Sequence, residues 1–362
     1  MIRKAVFITV HVGFNFGSKL QAVATQETLK KAGCNEVVCV NYIPPRVEEK
    51  RYWKDALQSP VRFIRRVLFY PVHLYSKHKY DGYLQEYCNL SEPIYSTDDF
   101  TSKCPKADVY VSGSDQLWNY KHNEGRDKHY FFEGIEGKKI AYASSIGMTE
   151  LPADYAEYMK SQLSGYSAIS VRESSAVDIL KGWGLNSTLV LDPTFMLDKS
   201  DWKKYASKRL LNEPYLFVYL PYNIVDKALI YRTVRKIAAK KDLKVVTYSD
   251  YFLKEKEADK TFIFNTPGDI LSLFYYADAV VTNSFHGTAF SINLNKQFWV
   301  YMPSSFSTRI SNILDLCHLN SRLLTEEISD SQLSEVTDYS QSNAVLDAER
   351  DKVLHFLTQA LQ

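Results

Sequence analysis

Short apolar runs alternate with amphipathic stretches along most of this chain, and that pattern restricts it to few folds. Residues 5–10 read as a buried strand and 17–32 as a helix ended by Gly33. Strands follow at 36–40, 108–111, 139–144, 168–171 and 188–191, with helices at 152–163 and in the stretch ending near Gly182-Trp183-Gly184. Runs that are apolar throughout, rather than alternating, suit strands covered on both faces, and helices between them suit parallel crossovers. The segment from Asp198 to Pro214 is polar and broken by proline, and 198–213 reads as a linker. The alternation then restarts, with strands at 215–220, 243–247, 261–264, 279–282 and 297–301 and helices at 225–241, 267–276 and 287–294. The stretch 344–361 reads as a closing amphipathic helix.

The expected fold is therefore α/β, with two Rossmann-like doubly wound domains facing a cleft, where ligands of such sheets bind. The first domain spans 1–197 and carries an inserted block at 46–100. The second spans 214–340, and 341–362 closes the chain. At 362 residues, two cores are expected rather than one.

Lys and Arg number 44 against 42 Asp and Glu, a net charge of +2. So even a balance excludes a whole-molecule polyanion binder, and no nucleic-acid partner is expected. The five cysteines, Cys34, Cys39, Cys88, Cys104 and Cys317, form no C-x-x-C pair, which argues against a zinc ribbon or a disulfide framework. A reducing compartment, the cytoplasm, fits. The first ten residues pass only weakly as a signal peptide, and a buried strand is the better reading.

One block breaks the alternation. Residues 46–80 hold nine Lys or Arg against three Asp or Glu, interleaved with Tyr52, Trp53, Phe63, Leu68, Phe69, Tyr70 and Tyr75. It is either a helical insertion with a solvated basic face or an element for a membrane surface or acceptor.

Four motifs sit where strands give way to helices. His11-Val12-Gly13-Phe14-Asn15-Phe16-Gly17-Ser18 is either a tight turn held by Asn15 or an anion-tolerant loop. In Ser112-Gly113-Ser114-Asp115-Gln116-Leu117-Trp118-Asn119, Ser114 or Asp115 caps a helix, or Asp115 orients or deprotonates a sugar hydroxyl over a Trp118 floor. Arg172, in Ser170-Val171-Arg172-Glu173, offers a planar fork to a carboxylate or phosphate, or else pairs with Glu173 or another acid. In Thr282-Asn283-Ser284-Phe285-His286-Gly287-Thr288, a strand ends and His-Gly-Thr opens a helix, placing a proton donor beside unpaired backbone N–H groups. No metal-ligand cluster of His, Asp or Glu is evident.

Together these segments resemble the polysaccharide pyruvyl transferases. Asn15 to Gln21 is similar to an N-Y-G-S-x-L-Q start, Gly113 to Asn119 to G-S-D-Q-x-W-N, Ser170 to Glu173 to S-V-R-[DE], and Asp192-Pro193-Thr194 to D-P-T. Ser284 to Gly287 is the S-F-H-G form of a motif otherwise written R-L-H-G. The resemblance implies a glycosyltransferase-B-like fold, phosphoenolpyruvate as donor, no cofactor, and a sugar or lipid-linked glycan as acceptor. By carry-over, Arg172 and His286 hold or act on the donor, and in the expected mechanism His286 and Asp115 are catalytic. Arg172, Ser284, Phe285, Gly287 and Thr288 would serve the donor, and Asn15, Gly17, Ser18, Gln21, Ser114, Gln116, Trp118 and Asn119 the acceptor. Ser284 stands where R-L-H-G has arginine, and Arg309 is the candidate to replace that contact. A lipid-linked acceptor would bring the enzyme to the inner face of the membrane. A nucleotide-sugar-dependent glycosyltransferase shares the architecture and is the alternative; a non-catalytic sugar-binding scaffold is a third reading.

Overall fold

The computed structural model describes residues 4–49, 53–54, 57–123, 125–223, 226–249, 254–263, 265–303 and 308–362. Tyr52, Val225 and Phe264, which entered the expectations above, lie outside them. The chain forms two compact units, 1–196 with 349–362, and 197–348.

In chain order the strands of the first unit are β1 Lys4–Ile8, β2 Glu36–Cys39, β3 Tyr42–Ile43, β4 Ile94–Tyr95, β5 Val109–Ser112, β6 Lys138–Ser144, β7 Ala168–Val171 and β8 Thr188–Leu189. Six of them form a wholly parallel sheet in the order β2-β1-β5-β6-β7-β8, while β3 and β4 pair apart from it. The chain first builds outward from β1 to β2, then returns to the other side of β1 with β5. The place where that direction reverses, between the carboxyl ends of β1 and β5, is where ligands of open α/β sheets bind.

The helix Phe16–Lys31 follows β1. Asn15 caps it, its Oδ1 accepting from Gly17 N at 3.0 Å and Ser18 N at 3.3 Å. Every residue from Phe16 to Gln26 is buried. The alternative of a turn held by Asn15 is thus what the loop contains. Residues 46–100 hold the helix Pro60–Tyr87, whose second half is docked by buried Ser76, Tyr80, Tyr83 and Leu84.

The second unit repeats the plan. Its strands are β9 Tyr215–Tyr219, β10 Lys244–Ser249, β11 Lys260–Ile263, β12 Ala279–Thr282, β13 Gln297–Tyr301 and β14 Leu323–Leu324. They form one parallel sheet in the order β11-β10-β9-β12-β13-β14, with the reversal between β9 and β12. Leu216, Val218, Ile230, Val234, Ala279, Val281 and Trp299 are part of a core cluster of this unit.

The stretch 198–213, expected as a linker, is built into the second unit. It contains the helix Lys199–Trp202, and the fully buried Trp202 packs edge-on to Phe290 with centroids 5.1 Å apart. Ser207 N donates to Gly268 O at 3.0 Å, and Ser272 Oγ to Lys208 O at 3.0 Å. Its polarity belongs to the exposed side, and one tryptophan supplies the docking. The last helix, Ser340–Leu361, begins four residues before the expected 344 and adds residues from Glu349 onward to the first unit.

His11 lies just beyond β1 with its Nδ1 3.1 Å from Thr9 O, and burial followed by the Lys19 charge pushes its pKa down to about 4. An unfolded histidine titrates near 6.5, so below that pH the unfolded chain takes up a proton that the folded chain refuses. Stability should fall by about 3 kcal/mol as pH drops from about 6.5 to about 4, then level off with respect to this group. Urea unfolding at stepped pH, wild type against His11→Gln, checks this: the variant should lose that part of the slope.

Candidate functional site

In the first unit the switch point is organised around one buried arginine. Arg172 follows β7, and its side chain is 1% exposed. Its NH2 donates to Asp115 Oδ1 at 3.0 Å, and its NH1 donates to Asp192 Oδ2 and lies 3.4 Å from Ser114 Oγ. Burial alone would lower the arginine's pKa, but Asp192, Asp115 and Glu173 outweigh it and raise it. The guanidinium is thus a fixed positive charge between two carboxylates.

Each carboxylate is held in turn. Asp115 Oδ2 accepts from Ser18 Oγ at 2.7 Å, and its Oδ1 also accepts from Gln116 N at 2.9 Å. Asp192 Oδ1 accepts from Thr194 N at 2.9 Å and Thr194 Oγ1 at 2.7 Å. Asp115 sits at φ +71°, in the left-handed region that Asp tolerates better than most residues. That geometry bends the chain so that Ser145 N donates to Asp115 O at 3.1 Å and Trp118 N to Ser145 O at 3.1 Å. Gly113 is required just before it, because a Cβ there would come within 2.9 Å of the Ile8 carbonyl oxygen.

Several expected acceptor residues prove to be internal braces. Gln21 is fully buried and donates to Thr9 Oγ1 at 2.7 Å, and Thr9 Oγ1 donates to Ser114 O at 2.7 Å. Asn119 Nδ2 donates to Gln116 Oε1 at 2.6 Å, and His122 N donates to Asn119 Oδ1 at 2.9 Å, so this amide pair shapes the loop after Asp115. Trp118 is 0% exposed and stacks on Phe131 with centroids 5.8 Å apart. It is a core residue and offers no floor to a sugar, since the indole filled the apolar interior rather than the loop surface. Arg172 pairs with Asp115 and Asp192, while Glu173 turns to Ser145 Oγ and to Gly147 N at 2.6 Å. The expectation of a fork left open to an anion is corrected accordingly. Exposed Asn15 and the buried Gly17 and Ser18 do lie at the switch point, with Ser114 and Asp115.

The second unit presents its histidine at the corresponding place. Thr282 ends β12, and the helix Phe285–Asn293 starts two residues before the expected 287. Ser284 is its N-cap: its Oγ accepts from Gly287 N at 3.4 Å, and its carbonyl accepts from Thr288 N and Thr288 Oγ1, both at 2.9 Å. Thr282 Oγ1 donates to Tyr219 O at 2.8 Å and accepts from Ser284 N at 3.1 Å, tying the cap to β9. His286 therefore occupies the first turn, where the helix end carries partial positive charge. The helix can sit this close because residue 287 is glycine. A Cβ there would lie 2.2 Å from Thr282 Oγ1 and 3.0 Å from Tyr219 Cδ1.

Arg309, on the helix Thr308–Leu316, places its guanidinium 5.2 Å from the Phe285 ring centroid. The structure thus brings together Ser284, Phe285, His286, Gly287, Thr288 and Arg309, all buried. Asn283 was quoted in the motif but given no role. Its Nδ2 donates to Tyr222 O at 3.0 Å, which pins the loop after β9 beside His286.

The first unit also contains a cavity of about 390 Å³ lined by Tyr42, Arg46, Asn123, Arg126, Asp127, Lys128 and His129, among others. Arg46 NH1 donates to Asn123 Oδ1 at 2.7 Å, and Tyr42 OH and His129 Nδ1 both point at Asp127. Sequence reasoning missed it because β3, β4 and the 126–129 segment are too short to show periodicity. Among the described residues, no group of three or more His, Cys, Asp or Glu is placed to hold a metal ion.

A family model described as polysaccharide pyruvyl transferase matches residues 15–305. The chain belongs to the polysaccharide pyruvyl transferase family. Among curated proteins no relative matches at a significant level. Of solved structures, a putative UDP-N-acetylglucosamine 2-epimerase from Listeria monocytogenes is similar at 10% identity and TM-score 0.50, covering 99% of this chain and 91% of its own. HepE from Anabaena, solved with UDP and glucose, is similar at 10% identity and TM-score 0.48, covering 99% and 98%. At such identity the likeness concerns fold alone, and the fold of this pyruvyl transferase family member is glycosyltransferase-B-like, with parallel sheets in two domains.

Two substitutions test these geometries. Arg172→Gln leaves two buried carboxylates without their shared cation, and should cost about 3–5 kcal/mol in denaturant unfolding. An unchanged midpoint would mean that Asp115 and Asp192 do not depend on it. Gly287→Ala forces β12 and the His286 helix apart and should cost about 1–3 kcal/mol. A thermal midpoint equal to wild type would refute the close approach.

Proposed function

We propose that this family member transfers pyruvate from phosphoenolpyruvate to two hydroxyls of one sugar, forming a cyclic ketal and releasing inorganic phosphate. The observation that carries the reading is His286 in the first turn of a capped helix at the switch point of the second unit, with Arg309 against the neighbouring Phe285. Phosphoenolpyruvate bears a carboxylate and a phosphate, so a helix N-terminus and a guanidinium suit it.

In this reading His286, protonated beside the donor's negative charge, gives its proton to the methylene carbon of the enol. The neighbouring carbon becomes electron-poor, and a sugar hydroxyl adds to it. Departure of phosphate and addition of the second hydroxyl close the ketal. Of the two hydroxyl protons released, one restores His286 and the other leaves with phosphate. Asp115, already accepting from Arg172, Ser18 and Gln116, suits orienting a hydroxyl better than removing its proton. Arg172 serves the acceptor side by holding Asp115 in place. The half-exposed Arg46 and exposed Arg126 at the first unit's cavity are further candidates for acceptor contact. The acceptor is a sugar or glycan of surface-polysaccharide biosynthesis. In this reading the reaction runs in the cytoplasm, at the inner membrane face when that acceptor is lipid-linked.

His286→Ala should lower phosphate release from phosphoenolpyruvate, in the presence of acceptor, by roughly 10²–10⁴-fold. Near-wild-type turnover at saturating phosphoenolpyruvate would remove His286 as proton donor. The donor itself is tested by thermal unfolding, since a ligand of the folded state raises the midpoint. A rise with phosphoenolpyruvate supports the reading, whereas a rise only with UDP-glucose would replace it with a nucleotide-sugar-dependent glycosyltransferase.

A further inference from the structure

The helix Pro60–Tyr87 is two different objects along its length. Its second half is bound to the first unit: Tyr80, Tyr83 and Leu84 are buried, and Lys19, itself 1% exposed in its side chain, pairs with Asp81 at 2.9 Å. Gln26 Nε2 also donates to Tyr87 O at 3.1 Å. The first half is held more lightly: Phe14 meets His73 edge-on at 5.2 Å, and Trp53 meets Tyr70 at 4.9 Å. Val61 is 76% exposed and Leu68 69%, and Phe63, Ile64, Val67, Phe69, Leu74 and Tyr75 are exposed as well. So much apolar surface on consecutive turns is unusual for an uncovered helix and marks an interaction site.

Its arrangement indicates what covers it. Leu74, Val67, Ile64, Tyr75, Leu68 and Val61 follow one another round the helix as one face, and Arg65, Arg62 and Arg66 border it on one side with Phe69 among them. From Pro60 to Tyr80 the sequence holds five Lys or Arg and no Asp or Glu. Among the described residues, Glu49 accepts from Tyr70 OH within the exposed half, and Asp81 Oδ2 holds Lys77 at 2.8 Å. A second copy of this chain, paired face to face about a twofold axis, would set these cations against themselves. An apolar stripe flanked by arginines instead fits the boundary between acyl chains and anionic headgroups, where the long stems bury and the guanidinium groups reach phosphate. Residues 60–75 span about 24 Å of helix, enough to lie along that boundary. No helix among the described residues is long and apolar enough to cross a membrane, so the contact is with the surface.

We propose that the first half of the helix Pro60–Tyr87 is a membrane-surface anchor, seated on anionic lipid. This stands on the helix itself and holds whichever donor the enzyme uses. The test is sedimentation of the full chain with phosphatidylcholine vesicles, with and without phosphatidylglycerol. Wild type should pellet with the phosphatidylglycerol vesicles and be released as salt is raised. Each arginine near such a surface is worth roughly a fivefold change in binding, so Arg62→Gln/Arg65→Gln/Arg66→Gln should weaken it on the order of 100-fold. Ile64→Ser/Leu68→Ser should weaken it too, by removing the inserted face. All five positions lie on the helix's exposed half, so both variants should keep the wild-type thermal midpoint and their turnover on a soluble acceptor. Failure of the wild type to pellet, or equal binding by the arginine variant, would overturn the proposal. So would a dimer that Ile64→Ser/Leu68→Ser dissolves, since a second copy would then be the cover.

Discussion

Arg172 draws two carboxylates from separate strand ends into one buried cluster, and the shape of the first unit's switch point depends on it. Asp115 arrives from the end of β5, Asp192 from beyond β8, and Arg172 from the end of β7. None of the three would be tolerated alone in that interior, because an unpaired buried charge is far more costly than a pair. Two acids on one cation leave a net negative centre, and hydroxyl and amide donors from Ser18, Gln116 and Thr194 spread that charge. The left-handed turn at Asp115 is held by the same contacts, consistent with strain kept where the surroundings over-determine it. An arginine so committed acts as a frame, and its chemistry reaches a substrate only through the side chains it positions.

The second unit solves the equivalent problem without charge. Thr282, Ser284 and Thr288 tie the helix start to β9 and to its own first turn through hydroxyls, and Gly287 removes the side chain that would hold the elements apart. What remains at the helix start is the dipole, one histidine, and the guanidinium of Arg309 beyond Phe285. Such a centre is positive where the first unit's is negative. In the proposed chemistry the anionic donor falls to the second unit and the hydroxyl groups to be oriented fall to the first.

Periodicity made the sheets legible, because a strand buried on both faces has no choice but to be apolar throughout. Residues 267–276, 279–282 and 297–301 appear in the structure at the bounds their patterns suggested. The motif positions were legible too, since a strand end that meets a helix start is visible as a change of composition. What each side chain faces was not. Whether Arg172 meets Glu173, Asp115, Asp192 or a ligand depends on which strands become neighbours, and that order is a property of the whole sheet. Trp118 was misjudged for the same reason: a tryptophan in a polar motif looks accessible until Phe131, thirteen residues on, is folded against it. The stretch 198–213 shows the converse, where one buried tryptophan docks a segment whose average polarity suggested a linker.

The insertion between β2 and β5 is where the first unit departs from the pattern of the second. Buried Lys19 can be afforded only because Asp81 meets it, and Asp81 also holds Lys77, so the docked half of the helix is pinned by charge at its midpoint. Burial and the two lysines act in opposition on Asp81, and the lysines prevail, lowering its pKa. The pin reaches back to the helix Phe16–Lys31, whose N-cap lies at the switch point. The element that exposes apolar surface is therefore joined through this pin to the helix that carries Ser18 and is capped by Asn15. A surface contact made by residues 60–75 would thereby hold that switch point near the surface.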